Sequence, residues 1–262
     1  MKRFIVLSVI VLTVVACSTV AITGRKQFNI VSNSELIPMS FTQYEEVLRD
    51  GKLSTDTKRV NQVQRVGKRI QKAVEEYMAQ HNLSDELKGF EWEFKLIEDE
   101  NINAWCMPGG KVAFYTGIMP ICNNDAGVAV VMGHEIAHAI ANHGAERMSQ
   151  GMATQMGMSA LSIALQEKPE ATQTLLMQSV GMGTQLGMLK FSRLHESEAD
   201  KMGLIFMAMA GYDPHEAPEF WTRMAAAGGQ APPEFLSTHP HPKTRIKDLN
   251  AAIPEAMKFY KK

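Results

Sequence analysis

Residues 125–142 constrain the fold more than any other part of the chain. Their side chains are apolar nearly all the way around a predicted helix, so this helix must be buried. Asp125 can cap its first turn. The same helix nevertheless contains His134, Glu135 and His138, polar side chains whose burial is costly unless they have partners. The sequence therefore predicts a core helix that carries a polar functional site.

The spacing of the two histidines indicates a metal site. Residues four apart on a helix lie about 40° apart around its axis, so His134 and His138 can both reach one ion. Glu135 points about 100° away, which leaves its carboxylate beside the ion, where it can act as a base toward water. We predict that both histidines bind the metal and that Glu135 is catalytic. The alternative, two solvated histidines on a helix surface, is disfavoured by the apolar neighbours.

A catalytic zinc site needs three protein ligands and one open position. His143 follows His138 by five residues and can join the site only if the helix has already ended. Further along the chain, Glu196 and Asp200 share one face of a predicted helix. We assign Glu196 as the third ligand of one Zn2+ ion and Asp200 as the acceptor that orients a ligand histidine. Without the upstream histidines, a solvated acidic helix face would be the simpler interpretation.

The first 16 residues have the features of a bacterial lipoprotein signal. Lys2 and Arg3 precede an apolar run of thirteen residues, whereas a spanning helix needs about 20. The run ends at Ala16 and Cys17, which resemble the lipobox in which the signal is removed and the cysteine is lipidated. We predict a signal peptide at 1–16 and lipidation of Cys17. A plain secretory signal with an incidental cysteine is the alternative.

The residues after the signal define the expected location and partners. Lipoproteins that stay at the inner membrane usually have Asp directly after the lipidated cysteine, and this chain has Ser18 there. We therefore expect the protein to be located at the periplasmic face of the bacterial outer membrane. Removal of residues 1–16 deletes two basic residues and no acidic one, which leaves 25 basic against 28 acidic residues. This balance gives no broad positive field for a polyanion, so we expect no nucleic-acid partner. Membrane attachment would rest on the lipid.

The first half of the mature sequence predicts a helix and a small sheet. Residues 17–55 are polar and predict a lipidated tether and N-terminal extension with a short helix. From Asp56 onward, apolar residues recur at spacings of three and four, as in an amphipathic helix. Residues 90–96 alternate between apolar and charged side chains, as in a half-buried strand. The turn at 108–110 separates two further strands.

Helices dominate the second half. The segment 148–190 is rich in Met, Gly, Ala and Gln, and residues 167–170 divide it into two helices. Further helices are predicted at about 192–210, from Asp213 to about Ala227, and after Pro242. We therefore expect a mainly helical α+β fold with a small antiparallel sheet, in which residues 56–262 form the catalytic domain.

Three motifs together resemble those of the zinc metallopeptidase family of HtpX and the CAAX prenyl proteases. They are His134–His138, the later Glu196–Asp200 segment preceded by Ser192 and Arg193, and Thr238–Pro240. The similarity runs from about Asp56 to the end of the chain. The layout is most similar to that of the short periplasmic lipoprotein members, because no run here is long and apolar enough to span a membrane. The resemblance implies a zincin-like fold and zinc-dependent peptide hydrolysis.

The resemblance also implies further site residues. His239 matches the family's His-Pro position, where it would donate a hydrogen bond to the oxyanion or occupy the open coordination position. Arg245 matches the arginine that follows and would assist substrate or oxyanion charge. Ala104, Trp105 and Cys106 would hold an extended substrate by backbone pairing at a sheet edge.

Two functions remain open from the sequence. The first is a zinc endopeptidase that cleaves unfolded or misassembled envelope proteins. The second is a periplasmic chaperone or scaffold for outer-membrane protein assembly that keeps the metal fold without turnover. The intact Glu135 favours the peptidase, because a scaffold does not need a base beside its metal.

Overall fold

The computed structural model describes residues 17–227 and 242–261. In that part of the chain the strands are β1 (Cys17–Thr19), β2 (Lys26–Phe28), β3 (Glu93–Ile97), β4 (Ala104–Met107) and β5 (Lys111–Tyr115). The helices are α1 (Asn33–Asp50), α2 (Thr57–Gln80), α3 (Met119–Cys122), α4 (Asp125–Ile140), α5 (His143–Leu165), α6 (Glu170–Met209), α7 (Glu216–Ala227) and α8 (Pro242–Ala256). The mainly helical α+β fold is the one that the sequence predicts.

The small sheet beside the core is mixed. β5 lies in its centre, antiparallel to β4 and parallel to β3, so that β4 forms an edge. The β4–β5 hairpin is as expected, and Gly109 and Gly110 adopt the positive φ angles of 90° and 86° that its turn uses. The parallel pairing of β3 corrects the expected antiparallel sheet. Alternation along a strand indicates which faces are buried, but it does not indicate which strand is the neighbour.

Helix α4 is buried along its length, as its apolar sequence predicts. Every residue from Gly127 to Ile140 is buried. Asn124 caps the helix, because its side chain accepts a hydrogen bond from the backbone of Gly127. Asp125, the expected cap, lies one position inside the helix and pairs instead with Arg65 of α2. Both residue types serve as caps, and the sequence pattern misplaced the boundary by one residue.

Helices α4 and α6 approach each other closely at two glycines. A Cβ atom on Gly133 would lie 2.8 Å from the backbone oxygen of Gly203, and one on Gly203 would lie 2.9 Å from the backbone nitrogen of His134. Contacts this short are not compatible with a real side chain, so both positions require glycine for the observed packing. This packing brings Glu196, two turns before Gly203, within reach of the histidines on α4.

Helix α6 is a single helix of 40 residues. The sequence predicted a separate helix that begins at about residue 192. No glycine or proline stands at 190–194 to break the chain, and serine is tolerated inside a helix. The C-terminal end is as predicted, since Gly211 follows with φ 77°. Among the described helices, none has the length and apolar character needed to cross a membrane.

The segment 17–55 is more structured than the predicted tether. β1 and β2 form a hairpin, and α1 extends over 18 residues. Val20 and Tyr44 are buried, and Arg25 reaches carboxylates on α5 and α6. Arg25 and Tyr44 join this segment to residues far away in the chain, and its polar sequence does not show such contacts.

Candidate metal centre

Three predicted ligands meet in the interior of the protein. Helix α4 contributes His134 and His138, whose Nε2 atoms lie 3.1 Å apart. Helix α6 contributes Glu196. One of its oxygens lies 3.3 Å from Nε2 of His134 and the other lies 3.2 Å from Nε2 of His138. All three side chains are buried. The structure therefore brings together the two histidines and the glutamate that the sequence selected.

The spacing of these donor atoms fits a zinc ion. Around a tetrahedral Zn2+ with bonds of about 2.0–2.1 Å, neighbouring ligand atoms lie about 3.3–3.4 Å apart. The two Nε2 atoms are 3.1 Å apart, and each has its own Glu196 oxygen at 3.3 or 3.2 Å, so the carboxylate faces both imidazoles at about this separation. Two imidazoles and one carboxylate are also a donor set of catalytic zinc sites. Among the described residues, this group alone brings three such donors within 4.8 Å of one another.

Asp200 supports His134 from behind. Its Oδ1 lies 3.0 Å from Nδ1 of His134, while the Nε2 of the same ring faces the other ligands. This is the contact expected of a carboxylate that orients a ligand histidine. Asp200 follows Glu196 by one helical turn, so a single face of α6 supplies both the ligand and the supporting group.

Arg245 of α8 pairs with both acidic residues of that face. Its Nε and one terminal nitrogen donate to Asp200 at 2.7 and 2.6 Å, and the other terminal nitrogen donates to Glu196 at 3.1 Å. The guanidinium lies 3.8 Å from the centre of the Trp221 ring and is buried. Arg245 therefore shares its single positive charge between two buried carboxylates. The role toward substrate or oxyanion that the resemblance implies stays a prediction.

Burial and hydrogen bonding act differently on the two histidines. Burial lowers the pKa of His138 well below its usual value. Burial also lowers the pKa of His134, but its hydrogen bonds to Asp200 and Glu196 outweigh burial and raise that pKa to about 9. Histidines bind a metal in the neutral form, so binding of a cation here would release a proton from His134.

Glu135 is placed to exchange protons beside the ligands. Its side chain is buried, and burial, together with the negative charge of Glu196, raises its pKa to about 7. A general base works best when its pKa is close to the working pH. Burial raises the pKa of the Cys106 thiol well above its usual value, and the charge of Glu135 adds to this effect. The Glu135 carboxylate is therefore close enough to β4 to affect the pKa of the Cys106 thiol.

The proposed substrate strand is the edge strand β4. Ala104, Trp105 and Cys106 pair with β5 on one side, and β4 is the last strand of its sheet. The Trp105 ring packs edge-on against Tyr44 at 5.9 Å. Substrate binding along this edge stays a prediction. His239, the remaining catalytic candidate, lies outside the described residues.

Sequence reasoning missed the group that supports His138. Nδ1 of His138 lies 2.8 Å from Nδ1 of His143. Helix α4 ends at Ile140, and Asn142 adopts a left-handed conformation with φ 56°, which turns the chain so that His143 approaches from behind the ligand. A signal was present, because Asn is one of the few residues that adopt this conformation readily. The helix has ended before His143, which is the condition for this residue to approach the site. His143 nevertheless contacts the ligand His138 and does not join the three ligands themselves.

Comparisons with known proteins point to metallopeptidases. Residues 64–253 match the profile of peptidase family M48. The mitochondrial metalloendopeptidase OMA1 of Schizosaccharomyces pombe is 36% identical over 242 residues, which cover 90% of this chain and 66% of that protein. OMA1 of Arabidopsis thaliana is 36% identical over 196 residues, covering 73% and 38%. The beta-barrel assembly-enhancing protease of Escherichia coli K12 is 32% identical over 161 residues, covering 59% and 33%. The chain thus spans two thirds or less of the length of these relatives.

Proposed function

This chain belongs to peptidase family M48, and from that premise we propose that it is a zinc-dependent endopeptidase, anchored by lipid in the bacterial envelope, that cleaves misfolded or misassembled envelope proteins. The convergence of His134, His138 and Glu196, with donor separations that fit zinc, is the observation that carries the proposal. Membership of the family makes the chain a metallopeptidase; its substrates and location are the proposed part.

The residues around the ligands supply the proton transfers. Zinc bound there would supply Lewis-acid polarisation of a carbonyl and would lower the pKa of water toward neutrality. Glu135 takes a proton from the attacking water and then donates it to the amine that leaves, a role that suits its pKa of about 7. Asp200 holds His134 in the tautomer that presents Nε2 to the ligand cavity. Backbone pairing along β4 would hold an extended peptide beside Glu135.

The location rests on the N-terminal sequence. Residues 1–17 resemble a lipoprotein signal and its lipidated cysteine. Two relatives are named as mitochondrial proteins and a bacterial relative is named for β-barrel assembly, and the latter name supports outer-membrane proteins as the substrate class. The alternative function, a chaperone or scaffold for outer-membrane assembly, draws on the same name.

The peptidase is tested with purified protein and an unfolded β-barrel protein as substrate. We expect cleavage that a chelator abolishes, and a loss of about 10²–10⁴-fold in Glu135→Gln with zinc retained. Equal cleavage by wild type and Glu135→Gln would remove the assignment of the base. If wild type suppresses aggregation of the substrate without cleaving it, the chaperone is the correct function.

The anchor is tested separately in cells. We expect Cys17→Ser to lose lipidation and to appear in the soluble periplasmic fraction, because the mature sequence has 25 basic against 28 acidic residues and so no excess of positive charge to replace the lipid. Wild type should fractionate with the outer membrane. A Cys17→Ser protein that still fractionates with membranes would show that another anchor exists.

A further inference from the structure

A second group of buried polar side chains lies next to the metal centre. It joins the N-terminal hairpin to the start of α5 and to the middle of α6. We refer to it as the Arg25 cluster, and its members are Thr23, Arg25, His143, Glu146, His195 and Glu198. Both histidines and both glutamates are buried. Burial of charged side chains costs free energy unless they pair with one another, and the members of this cluster do so.

One line of contacts runs from this cluster to a metal ligand. Nδ1 of His138 lies 2.8 Å from Nδ1 of His143. Nε2 of His143 lies 2.9 Å from an oxygen of Glu198. The same oxygen accepts a hydrogen bond from Nε of Arg25 at 2.7 Å, and the hydroxyl of Thr23 donates to the other oxygen. The N-terminal hairpin is therefore two side chains away from the ligand His138.

The chemistry of the ligand determines where the protons lie along this line. Nε2 of His138 faces the other two ligands, so it must be unprotonated to bind a metal, and the proton lies on Nδ1. Nδ1 of His143 must then accept that proton's hydrogen bond, which places the His143 proton on Nε2, where it donates to Glu198. Each tautomer is set by the next group, and the line ends at a carboxylate.

Arg25 fills the position that a second cation would otherwise take. Two histidines and two glutamates form a set that a metal ion could bind. The guanidinium, however, donates to both oxygens of Glu146 at 3.1 and 2.7 Å as well as to Glu198. Nε2 of His195 also contacts Glu146, at 2.8 Å. A guanidinium thus already lies between the two carboxylates and pairs with both, which favours a structural role over a second metal site.

We propose that the N-terminal hairpin positions a ligand of the metal centre. Arg25 holds Glu198, Glu198 sets the tautomer and orientation of His143, and His143 orients His138. His143 is a positioning residue that acts through His138, as Asp200 acts through His134. This inference rests on the proposed zinc site. Because Arg25 follows Cys17 by eight residues, the segment expected to carry the lipid is also the segment that supports the metal centre.

The test measures zinc affinity in the purified full chain by competition with a chelating dye. His143→Leu removes the acceptor and should weaken zinc binding about 10–100-fold, the usual effect of losing such a partner. His143→Asn retains an oxygen near the position of Nδ1 and should recover most of the affinity. Ser149→Ala is the matched control, because buried Ser149 accepts a hydrogen bond from the N-terminal segment at Ile30 but does not touch the line to His138. It should bind zinc as wild type does.

A second measurement reports ligand geometry and does not depend on activity. The visible absorption of the Co2+-substituted protein should change in His143→Leu and should remain wild-type in His143→Asn and Ser149→Ala. Arg25→Gln should weaken zinc binding by a smaller factor than His143→Leu, because Thr23 still holds Glu198.

The outcomes separate this inference from the proposed function. Wild-type affinity in His143→Leu, or equal losses in His143→Leu and His143→Asn, would overturn the positioning role and leave the zinc site intact. If His143→Leu does not fold, Glu198→Gln decides: it should bind zinc more weakly than wild type, and unchanged affinity would overturn the proposal. If wild type binds no zinc at all, the proposed function fails, and this inference fails with it.

Discussion

The two ligand histidines, one helical turn apart on α4, are supported from behind in different ways. His134 contacts a carboxylate directly, Asp200, which Arg245 near the C terminus holds in place. His138 contacts a second imidazole, His143, and the carboxylate comes only after it, held by Arg25 near the N terminus. The two lines share a pattern, since each ends in a carboxylate of α6 and an arginine.

This difference has an electrostatic consequence. Burial lowers the pKa of both histidines. For His134 the hydrogen bonds to two carboxylates, Asp200 and Glu196, outweigh burial and raise the pKa to about 9. For His138 burial outweighs the opposing effect of the Glu196 carboxylate and keeps the pKa well below its usual value. The interposed His143 has its own pKa lowered to about 4, by burial above all. In the metal-free protein, His138 is therefore neutral, whereas His134 carries a proton that metal binding would displace.

The largest expected effect comes from Glu196, the carboxylate that contacts Nε2 of both ligand histidines. We therefore expect Glu196→Ala to lower zinc affinity by more than about 100-fold, the largest loss expected for a residue that only orients a ligand. Glu198→Ala, two positions along the same helix, should weaken zinc binding but not abolish it. Titration of both variants with zinc decides between them. Loss of the metal in Glu198→Ala alone would mean that the ligand assignment is wrong.

The two arginines should differ in their effect on stability. Arg245→Met leaves Asp200 and Glu196 buried without their shared cation, so we expect the free energy of unfolding to fall by about 3–5 kcal/mol. Arg25→Met should cost less, because the Arg25 side chain is 21% exposed and that of Arg245 is 5% exposed. Denaturant unfolding of the zinc-free proteins measures both. A larger loss at Arg25 would reverse the ranking of the two supports.

Asp200 is the direct counterpart of His143. Asp200→Asn keeps the shape of the side chain and loses the charge that contacts His134, so we expect zinc affinity to fall about 10–100-fold with the fold retained. Thermal unfolding of the zinc-free variant serves as the control for folding. Wild-type affinity in Asp200→Asn would show that the charge of Asp200 does not affect zinc affinity. Asp200 and His143 would then not play equivalent roles behind the two ligand histidines.

The smallest expected effect concerns acid stability on the Arg25 side. Hydrogen bonds to His195 and Arg25 outweigh burial and lower the pKa of Glu146 to about 2. A lowered pKa means that the stabilisation is complete above about pH 4.5, the value expected in the unfolded chain, and is lost as the pH falls toward 2. Solvent screens the partly exposed Arg25, so we expect ionised Glu146 to contribute about 1–2 kcal/mol to the free energy of unfolding.

The variant Glu146→Gln tests this acid dependence. Its unfolding free energy should change less between pH 5 and pH 2.5 than that of the wild type, both measured by denaturant titration without zinc. Ser149→Ala, in the same helix, should keep the wild-type slope. Parallel curves for wild type and Glu146→Gln would show that Glu146 does not contribute to the acid sensitivity.

The turns and helix ends that the sequence predicted correctly depend on local features. The turn at Gly109 and Gly110 and the helix end at Gly211 depend on backbone conformations that few residues adopt. Three predictions were wrong in detail. Asn124 rather than Asp125 caps α4, α6 is not interrupted near residue 192, and β3 pairs parallel rather than antiparallel. Each depends on a choice between similar local options that packing makes.

The amino-acid sequence by itself determined the ligand face of this site. The four-residue spacings of His134 with His138, and of Glu196 with Asp200, place each pair on one side of a helix wherever that helix packs. Tertiary structure alone decided what holds His143 behind His138. Arg25 and Glu198 are 173 positions apart, and no periodicity links residues at such a distance. Their contact exists because two buried carboxylates require a cation, and only the folded chain brings that cation to them.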